Sequence, residues 1–202
     1  MQTIFVVAPG PGVTAWGDLN VLLAGRRVLA VKWGFLHVAD ICEALWSTHA
    51  RLFYQHADVI AYRQRRPELP CYAMRSVVEG GGTDGVITLE HAQDYGLCRD
   101  PAGIAFGKNS GHSGINVAYH LLGEPKRGSR LVLLGYDMRQ VNGKSHAHRE
   151  RATTPPWQYR NIFVPSFIDI AEELKKEGIE CLNATPQSAL EVFPHVDLRD
   201  VL

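Results

Sequence analysis

Short apolar runs alternate with longer amphipathic segments along the first part of the chain. Runs rich in apolar and β-branched residues predict strands over Thr3–Ala8 and Arg27–Val31. Helical spacing of apolar residues predicts helices over Thr14–Ala24, with Thr14 as the N-cap, and over Leu36–Trp46. This alternation of strands and helices is typical of a parallel sheet that carries helices on both faces.

The rest of the chain continues the alternation, with weaker signals in the middle. The glycine-rich segment 79–85 predicts a loop, either a connection between strands or a lid over a site. Further strands are predicted over Arg51–Gln55, Cys71–Arg75, Val86–Leu89, Arg130–Tyr136 and Ile179–Asn183, and further helices from Ile115 to near Gly123, over Pro155–Gly178 and over Ser188–Phe193. We therefore expect a single Rossmann-like α/β domain over residues 1–202, with a mainly parallel sheet.

Composition and charge place the chain among ordinary globular proteins. Its 202 residues suffice for one well-buried domain, and 21 basic residues balance 21 acidic ones. This balance argues against a strongly basic nucleic-acid surface, although Arg63, Arg65 and Arg66 are candidates for a local basic patch. No apolar stretch approaches the roughly 18 residues that span a bilayer, and the N-terminus lacks the charged start of a signal peptide. We expect a cytoplasmic protein with no membrane partner.

The cysteines give no sign of a metal or disulfide framework. Cys42, Cys71, Cys98 and Cys181 are scattered and form no CxxC pair. We therefore expect four buried free thiols and no zinc site.

A polar, glycine-containing loop opens the helix predicted from Ile115. Unpaired backbone N–H groups and the positive end of the helix dipole favour an anion at such a helix start, and glycine lets a phosphate approach closely. The loop residues that we expect to bind a nucleotide are Asn109, Ser110, Gly111 and Ser113. The alternative is an ordinary helix N-cap with no ligand.

Two further features lie at predicted strand ends. Asp137 closes the strand over Arg130–Tyr136, and the carboxyl edge of an open α/β sheet is where ligands bind. We expect its carboxylate to reach a ribose, a metal ion or an acceptor hydroxyl. Gly10 and Gly12 follow the first strand, where the chain meets a phosphate or ribose in nucleotide-binding sheets. Pro11 removes an N–H donor between them, and a plain strand-to-helix turn is the alternative.

A second polar loop follows the last predicted strand. Asn183, Thr185 and Ser188 precede a predicted short helix, as the Asn109 loop precedes the longer one. Two such loops at neighbouring strand ends can hold a nucleotide from both sides. Alternatively, Ser188 and Glu191 form a capping box that needs no ligand.

Two histidines lie in the polar loop that follows Asp137. Histidine titrates near neutral pH, so His146 or His148 can take a proton from an acceptor hydroxyl. Lys144 and Arg149 beside them either neutralise phosphate oxygens or are solvated charges. The spacing of Asp137 and the two histidines matches no established zinc pattern, and the alternative is a solvated surface loop.

The four tryptophans are predicted mainly as packing residues. Trp33 is the exception, because it follows the second strand at a position that faces the ligand crevice in nucleotide-binding sheets.

Four motifs together carry a resemblance to a known family. They are GKNSGHSGINVAYHLLG, LLGYDM, GKSHA and NATPQSALEVFP, and they occur in this order over most of the chain. With them the chain resembles the 6-hydroxymethylpterin diphosphokinase MptE-like domain, which also forms the core of motility-associated flagellin glycosyltransferases and recurs in small phage-encoded proteins. The resemblance implies a nucleotide-binding fold and selects His146, the histidine of the GKSHA-like motif, over His148. It also favours ligand binding by the Asn183 loop.

Three functional hypotheses follow, the first two from the resemblance and the third from the altered first turn. The first is a glycosyltransferase with a nucleotide-sugar donor, in which Asp137 orients the acceptor or ribose and His146 is the general base. Its acceptor is a small molecule or a glycan, with a DNA base as a further candidate. The second is a diphosphokinase using ATP and Mg²⁺ held by Asp137 and Asp58. The third is a non-catalytic nucleotide-binding or assembly protein, and a homo-oligomer is left open.

The chain departs from the family pattern at two positions. The first turn has Ala8-Pro9-Gly10-Pro11-Gly12 where relatives usually have Gly-x-Gly-Pro-Ser, so a serine hydroxyl is missing. The predicted third strand ends at His56, where an acidic residue is common, and Asp58 lies two residues further on. The second departure weakens the kinase hypothesis unless Asp58 takes the place of the missing acid.

Overall fold

The computed structural model describes residues 1–75, 85–148 and 153–202. The glycine-rich segment 79–85 lies outside these ranges except for Gly85, and Arg149 also lies outside them.

Eight parallel strands form one sheet within the described residues. In the order of the sheet the strands are β6, β5, β4, β3, β2, β1, β7 and β8. The strands are β1 (Thr3–Val7), β2 (Arg27–Val31), β3 (Ala44–Ser47), β4 (Cys71–Met74), β5 (Val86–Gln93), β6 (Gly103–Ala105), β7 (Arg130–Leu134) and β8 (Glu180–Asn183). The prediction of a Rossmann-like α/β fold is confirmed.

The helices cover both faces of this sheet. They are α1 (Leu19–Leu22), α2 (Leu52–Gln55), α3 (Ala57–Arg65), α4 (Ser110–Leu121), α5 (Pro156–Gln158) and α6 (Val164–Glu177), with 3₁₀ turns at Pro11–Trp16, Lys32–His37 and Leu198–Val201 and a π-helical turn at Tyr159–Phe163. Successive residues of β1 point to opposite faces. Ile4 and Val6 pack in the core that contains Phe167 of α6, whereas Phe5 packs in the core that contains Phe53 of α2. Burial on both faces explains why most residues of β1, β2 and β7 form unbroken apolar runs.

The order in which strands are added to the sheet reverses between β1 and β7. Strands β2 to β6 extend to one side of β1, and β7 and β8 lie on the other. Val7 pairs with both Ala30 and Leu134, so β1, β2 and β7 end at a common edge. Such a switch point is where ligands bind in open α/β sheets.

Two predicted elements around the third strand are wrong. The segment Leu36–Trp46 is not a helix, because its last residues belong to β3, whose four residues are fully buried. Arg51–Gln55 is not a strand, because it contains α2. His56 is therefore the N-cap of α3 and does not end a strand. Short apolar runs are compatible with a buried strand or a buried helix, and only the neighbouring strands decide between them.

Other predicted boundaries also change. Thr14 lies within a 3₁₀ turn, and Asp18 caps the short helix α1 instead. Ser188–Phe193 is not helical, so no capping box forms with Glu191. The predicted helix Pro155–Gly178 is helical from Pro156 to Glu177, with a π-turn at Tyr159–Phe163. Gly178 ends it in the left-handed conformation with φ of 72°. Strand β6 is not predicted from the sequence.

In the described ranges, no helix is long and apolar enough to cross a membrane. All four cysteines are free and buried, as predicted.

Candidate functional site

A cavity of about 230 Å³ lies at the switch point of the sheet. Segments that follow β1, β2, β3 and β7 form its wall together with the N-terminus of α4 and the π-turn. The predicted site residues that line it are Gly10, Asn109, Ser110, Gly111, Asp137 and His146. These residues come from four separate segments of the chain, and the structure brings them to one wall.

The N-terminus of α4 opens into the cavity. The Asn109 side chain caps the helix by accepting a hydrogen bond from the His112 N–H at 2.9 Å. Its amide also donates to Ser166 Oγ on α6, which holds the cap in place. The N–H groups of Ser110 and Gly111 precede the intrahelical hydrogen bonds and are suited to bind an anion. N-capping and anion binding are thus compatible here.

Ser110 and Ser113 differ in what their side chains contact. Ser110 lines the cavity, and its Oγ lies 2.7 Å from Thr48 Oγ1. Ser113 is fully buried, donates to the Asn109 carbonyl and accepts from Trp46 Nε1 at 3.2 Å. The Ser113 side chain therefore joins α4 to β3 and does not line the cavity.

Asp137 is a buried carboxylate at the cavity wall. The Gly12 N–H donates to both of its oxygens, at 2.9 and 3.1 Å. Burial raises the pKa of Asp137 to about 6, and the Gly12 hydrogen bond and Arg139 partly oppose this shift. Near neutral pH the Asp137 carboxylate is ionised, but its pKa is close to the ambient pH. Such shifted pKa values are common among residues of functional sites.

The two glycines of the first turn are required by Asp137. A side-chain carbon at Gly10 would collide with Asp137 Oδ2 and with the Gly135 carbonyl. One at Gly12 would lie 2.7 Å from Asp137 Oδ1. Gly10 lines the cavity, whereas the Gly12 N–H is already bonded to the carboxylate. The two glycines therefore allow the Asp137 carboxylate, which follows β7, to contact the backbone of the turn that follows β1.

The histidine loop is anchored to the first turn. The Ala147 N–H donates to the Pro9 carbonyl at 2.7 Å, and Asn142 and Gly143 form a tight turn with positive φ. His146 stacks on His148 with ring centroids 5.4 Å apart, and His148 packs against Trp33. These contacts place His146 in the cavity wall, whereas Lys144 is exposed and does not line it.

Both stacked histidines are neutral near pH 7. Burial lowers the pKa of His146 to about 4, with contributions from His148 and Lys32. Burial also lowers the pKa of His148 to about 4, with contributions from His37 and Lys32. A neutral imidazole at the cavity wall is able to accept a proton.

The second predicted loop lies outside the cavity wall. Thr185 Oγ1 accepts from the Tyr136 N–H at 2.9 Å, and Ser188 Oγ donates to the Tyr136 carbonyl at 2.5 Å. Asn183 is fully buried, accepts from the Thr185 N–H and donates to the Leu190 carbonyl. These side chains hold the segment after β8 against the segment after β7. Their role in binding a nucleotide stays a prediction.

Several cavity residues are not predicted from the sequence. Lys32, His49, Tyr159 and Phe163 line the wall. His49 follows β3, which sequence patterns assign to a helix, and the two aromatic rings come from a π-turn that leaves no sequence signal. Lys32 directly follows β2, so its position at the strand end is the signal that identifies it. Trp33, the neighbour predicted to face the crevice, packs instead against His56 and His148.

Left-handed backbone conformation is concentrated at this wall. Among the described non-glycine residues, five have positive φ, and three of these, Lys32, Lys108 and Met138, line the cavity. Such conformations cost about 1 kcal/mol each and are common at functional sites.

The residues that could hold a metal are few. Within residues 1–75, 85–148 and 153–202, no group of three or more His, Cys, Asp and Glu side chains is arranged to bind a metal ion. Asp137 is the one carboxylate among the described residues that line the cavity. Asp58 lies in the first turn of α3, is exposed and is not part of this wall.

Comparison with known proteins defines the class of fold. The chain is similar to the solved structure of the sialyltransferase CstII from Campylobacter jejuni in complex with a substrate analogue, CMP-3FNeuAc. The similarity covers 97% of this chain and 86% of that chain, with a TM-score of 0.57 and 14% sequence identity. At this identity the similarity shows a shared fold. No family model and no curated protein sequence matches the chain.

Proposed function

We propose that this chain is a nucleotide-dependent glycosyltransferase that takes its sugar from a nucleotide-sugar donor. The observation that carries the proposal is the composition of the cavity wall. An open helix N-terminus, a carboxylate and a neutral histidine meet there at the switch point of a parallel sheet. The helix N-terminus is suited to bind a phosphate, and the carboxylate is suited to bind a hydroxyl group. The histidine is suited to accept a proton.

Two similarities support this choice of reaction. A solved structure that shares the fold is that of a sialyltransferase in complex with a substrate analogue, CMP-3FNeuAc. The four motifs resemble the MptE-like family, which includes the core of flagellin glycosyltransferases. Because one fold can host unrelated reactions, the proposal rests on the cavity residues, and the similarities only rank the alternatives.

In the proposed reaction, an acceptor hydroxyl oxygen forms a bond to the anomeric carbon of the donor sugar. The bond between that carbon and the donor phosphate oxygen breaks, and the nucleotide leaves with the bonding electrons. The hydroxyl proton passes to His146, which is neutral because burial, His148 and Lys32 lower its pKa to about 4. The N–H groups at Ser110 and Gly111 stabilise the departing phosphate.

Asp137 has a positioning role in this scheme. Its carboxylate lines the cavity and is held by the Gly12 N–H, so it is directed by the backbone of the first turn. An ionised carboxylate accepts hydrogen bonds from hydroxyl groups of a ribose or of the acceptor. The acceptor in this proposal is a small molecule or a glycan. The net charge of zero gives a DNA acceptor no support.

The diphosphokinase alternative ranks second because of its metal ligands. Mg²⁺ prefers carboxylate oxygens together with substrate phosphates. Asp137 is suitable, but the second proposed ligand, Asp58, is exposed on α3 and outside the described wall. The non-catalytic alternative retains the cavity and makes His146 dispensable.

A turnover screen tests the proposal. Purified protein is incubated with a panel of nucleotide sugars and with ATP, with Mg²⁺ or with chelator, and products are measured by mass spectrometry. CMP-linked sialic acid is the first donor to test, and glycans and small sugars are supplied as acceptors. We expect release of a nucleoside mono- or diphosphate from one donor, and His146→Gln to lower kcat by about 10²- to 10⁴-fold.

The control variant is His195→Gln, which changes an exposed histidine that does not line the cavity. It is expected to retain the activity of the unmodified protein. Mg²⁺-dependent formation of AMP from ATP would instead establish the kinase. Nucleotide binding without turnover by any donor, unchanged in His146→Gln, would favour the non-catalytic alternative.

A further inference from the structure

Lys32 places an amino group at the carboxyl edge of β2. It directly follows Val31, the last residue of that strand, and both line the cavity. His49 and His146 lie in the same wall. Since β2 is next to β1 in the sheet, Lys32 approaches the switch point from the side opposite β7 and Asp137.

The backbone around Lys32 is held in a costly conformation. Its φ is 49°, a left-handed value that is unfavourable for lysine by about 1 kcal/mol. The residues that follow fix this turn, because Gly34 packs so closely on the Val7 carbonyl that a side-chain carbon would collide with it. Trp33 packs between the rings of His56 and His148. Strain that the surrounding structure enforces at a cavity wall points to a functional role for the side chain.

Among the described residues, no carboxylate pairs with the amino group of Lys32. The charged group that acts on it is Arg51. Burial and Arg51 lower the pKa of Lys32, and Lys32 in turn contributes to the lowered pKa values of His49, His146 and His148. Burial and Arg51 both disfavour the charged form of Lys32, so an anion that binds beside it would favour that form again.

Lys108, another lysine of the cavity wall, has a carboxylate partner. It also lines the cavity and has a φ of 59°. Its ammonium group, however, forms an ion pair with Asp94 at 2.7 Å and lies over the rings of Tyr95 and Phe106. Of these two lysines, Lys108 has a carboxylate partner and Lys32 has none among the described residues, so Lys32 is the one available to a ligand.

We propose that Lys32 binds the donor phosphate and neutralises the negative charge that develops on it when the sugar is transferred. The inference rests on the proposed function for the identity of the ligand, a nucleoside mono- or diphosphate. Lys32 and the N-terminus of α4 then supply positive potential from two separate elements of one cavity. A charge-assisted hydrogen bond to a phosphate is among the strongest single contacts available to a protein.

The test compares nucleotides with their nucleosides. Isothermal titration calorimetry at pH 7.5 measures binding of CMP, UDP, ADP and GDP, of the four matching nucleosides, and of inorganic pyrophosphate. The proteins are the unmodified chain, Lys32→Met and Lys144→Met. Lys144 is a matched control, because it lies on the histidine loop but is exposed and outside the cavity wall. Thermal unfolding shows that each variant is folded.

We expect Lys32→Met to weaken binding of the preferred nucleotide by about ten- to a hundredfold, while binding of its nucleoside changes less than twofold. Lys144→Met is expected to change neither. If Lys32→Met keeps the full preference for nucleotide over nucleoside, the role of Lys32 is overturned and the donor site itself stands.

The same titrations separate this inference from the proposed function. If the unmodified protein binds pyrophosphate but none of the nucleotides, and Lys32→Met loses pyrophosphate, an anion site at Lys32 is supported and the nucleotide-sugar function is contradicted. If the unmodified protein binds none of the probes, both are contradicted.

Discussion

The site contains buried groups that carry charge at a cost to the fold. Asp137 is only 2% exposed, and burial raises its pKa to about 6, above the value of 3.8 expected for an unperturbed aspartate. Between about pH 4 and pH 6 the folded protein therefore binds more protons at this group than the unfolded chain does. Its contribution to the free energy of unfolding falls as the pH rises through this window, and above it the ionised group is a net cost.

Replacing this carboxylate by its neutral isostere is expected to stabilise the protein. In Asp137→Asn the amide oxygen still accepts from the Gly12 N–H, but no buried charge forms. We expect the free energy of unfolding at pH 7.5 to rise by up to about 3 kcal/mol, with the gain vanishing near pH 4. Urea unfolding at both pH values measures the difference.

The control for this prediction is Asp169→Asn, which changes an exposed residue of α6. It is expected to change the free energy of unfolding by less than about 0.5 kcal/mol. If Asp137→Asn instead destabilised the protein equally at pH 4 and pH 7.5, altered packing rather than charge would be the cause.

At the scale of elements, one amide side chain joins α4 to the edge of the sheet. Asn116 is fully buried, and its Oδ1 accepts from the N–H groups of Cys98 and Ala105 at 2.9 and 3.1 Å. Its Nδ2 donates to the Cys98 carbonyl at 2.9 Å. The short strand β6 and the loop before it are therefore attached to the helix whose N-terminus opens into the cavity.

Removing this amide is expected to loosen the edge of the sheet. Asn116→Ala leaves two buried N–H groups without their acceptor, so we expect it to lower the free energy of unfolding by about 3 kcal/mol. Hydrogen exchange should show the largest loss of protection at residues 98–105. Asn161→Ala, at an exposed site, is the control and is expected to cost less than about 0.5 kcal/mol. A uniform loss of protection over the whole chain would contradict the local attachment.

Strands and helices differ in how well the sequence predicts them. Strands β1, β2, β7 and β8 are predicted nearly residue by residue, because they are apolar runs closed by polar or glycine residues. Strand β3 and helix α2 are assigned wrongly, since a short apolar run fits either structure. Strand β6 has three residues and depends on the Asn116 side chain, which lies in a helix.

At the scale of the whole molecule, cysteines lie in the hydrophobic cores on both faces of the sheet. Cys42 and Cys71 pack in the core that contains Phe5, and Cys181 packs in the core that contains Ile4. Burial raises the pKa values of these thiols and of Cys98, so the reactive thiolate is both scarce and inaccessible in the folded protein.

Thiol labelling therefore measures opening of the fold. At pH 7.5 we expect DTNB to react with fewer than one thiol per folded molecule in the time in which guanidinium-unfolded protein reacts at all four. A bound nucleotide at 100 times its Kd is expected to slow labelling through global unfolding by about a hundredfold. A single fast thiol, located by peptide mapping, would contradict the prediction and mark local opening.

The amino-acid sequence alone indicates the class of fold and part of the cavity wall. Apolar runs report burial on both faces of a parallel sheet, and the carboxyl ends of such strands converge on one edge, so Asp137 and the Asn109 loop were identifiable. Tertiary contacts determine which polar residues line the cavity. Ser113, Asn183, Thr185 and Ser188 form hydrogen bonds within the protein, whereas Lys32 and His49 line the wall. The physical reason is that a polar side chain points towards its hydrogen-bond partners, and these partners are distant in sequence. Local sequence patterns do not identify such partners.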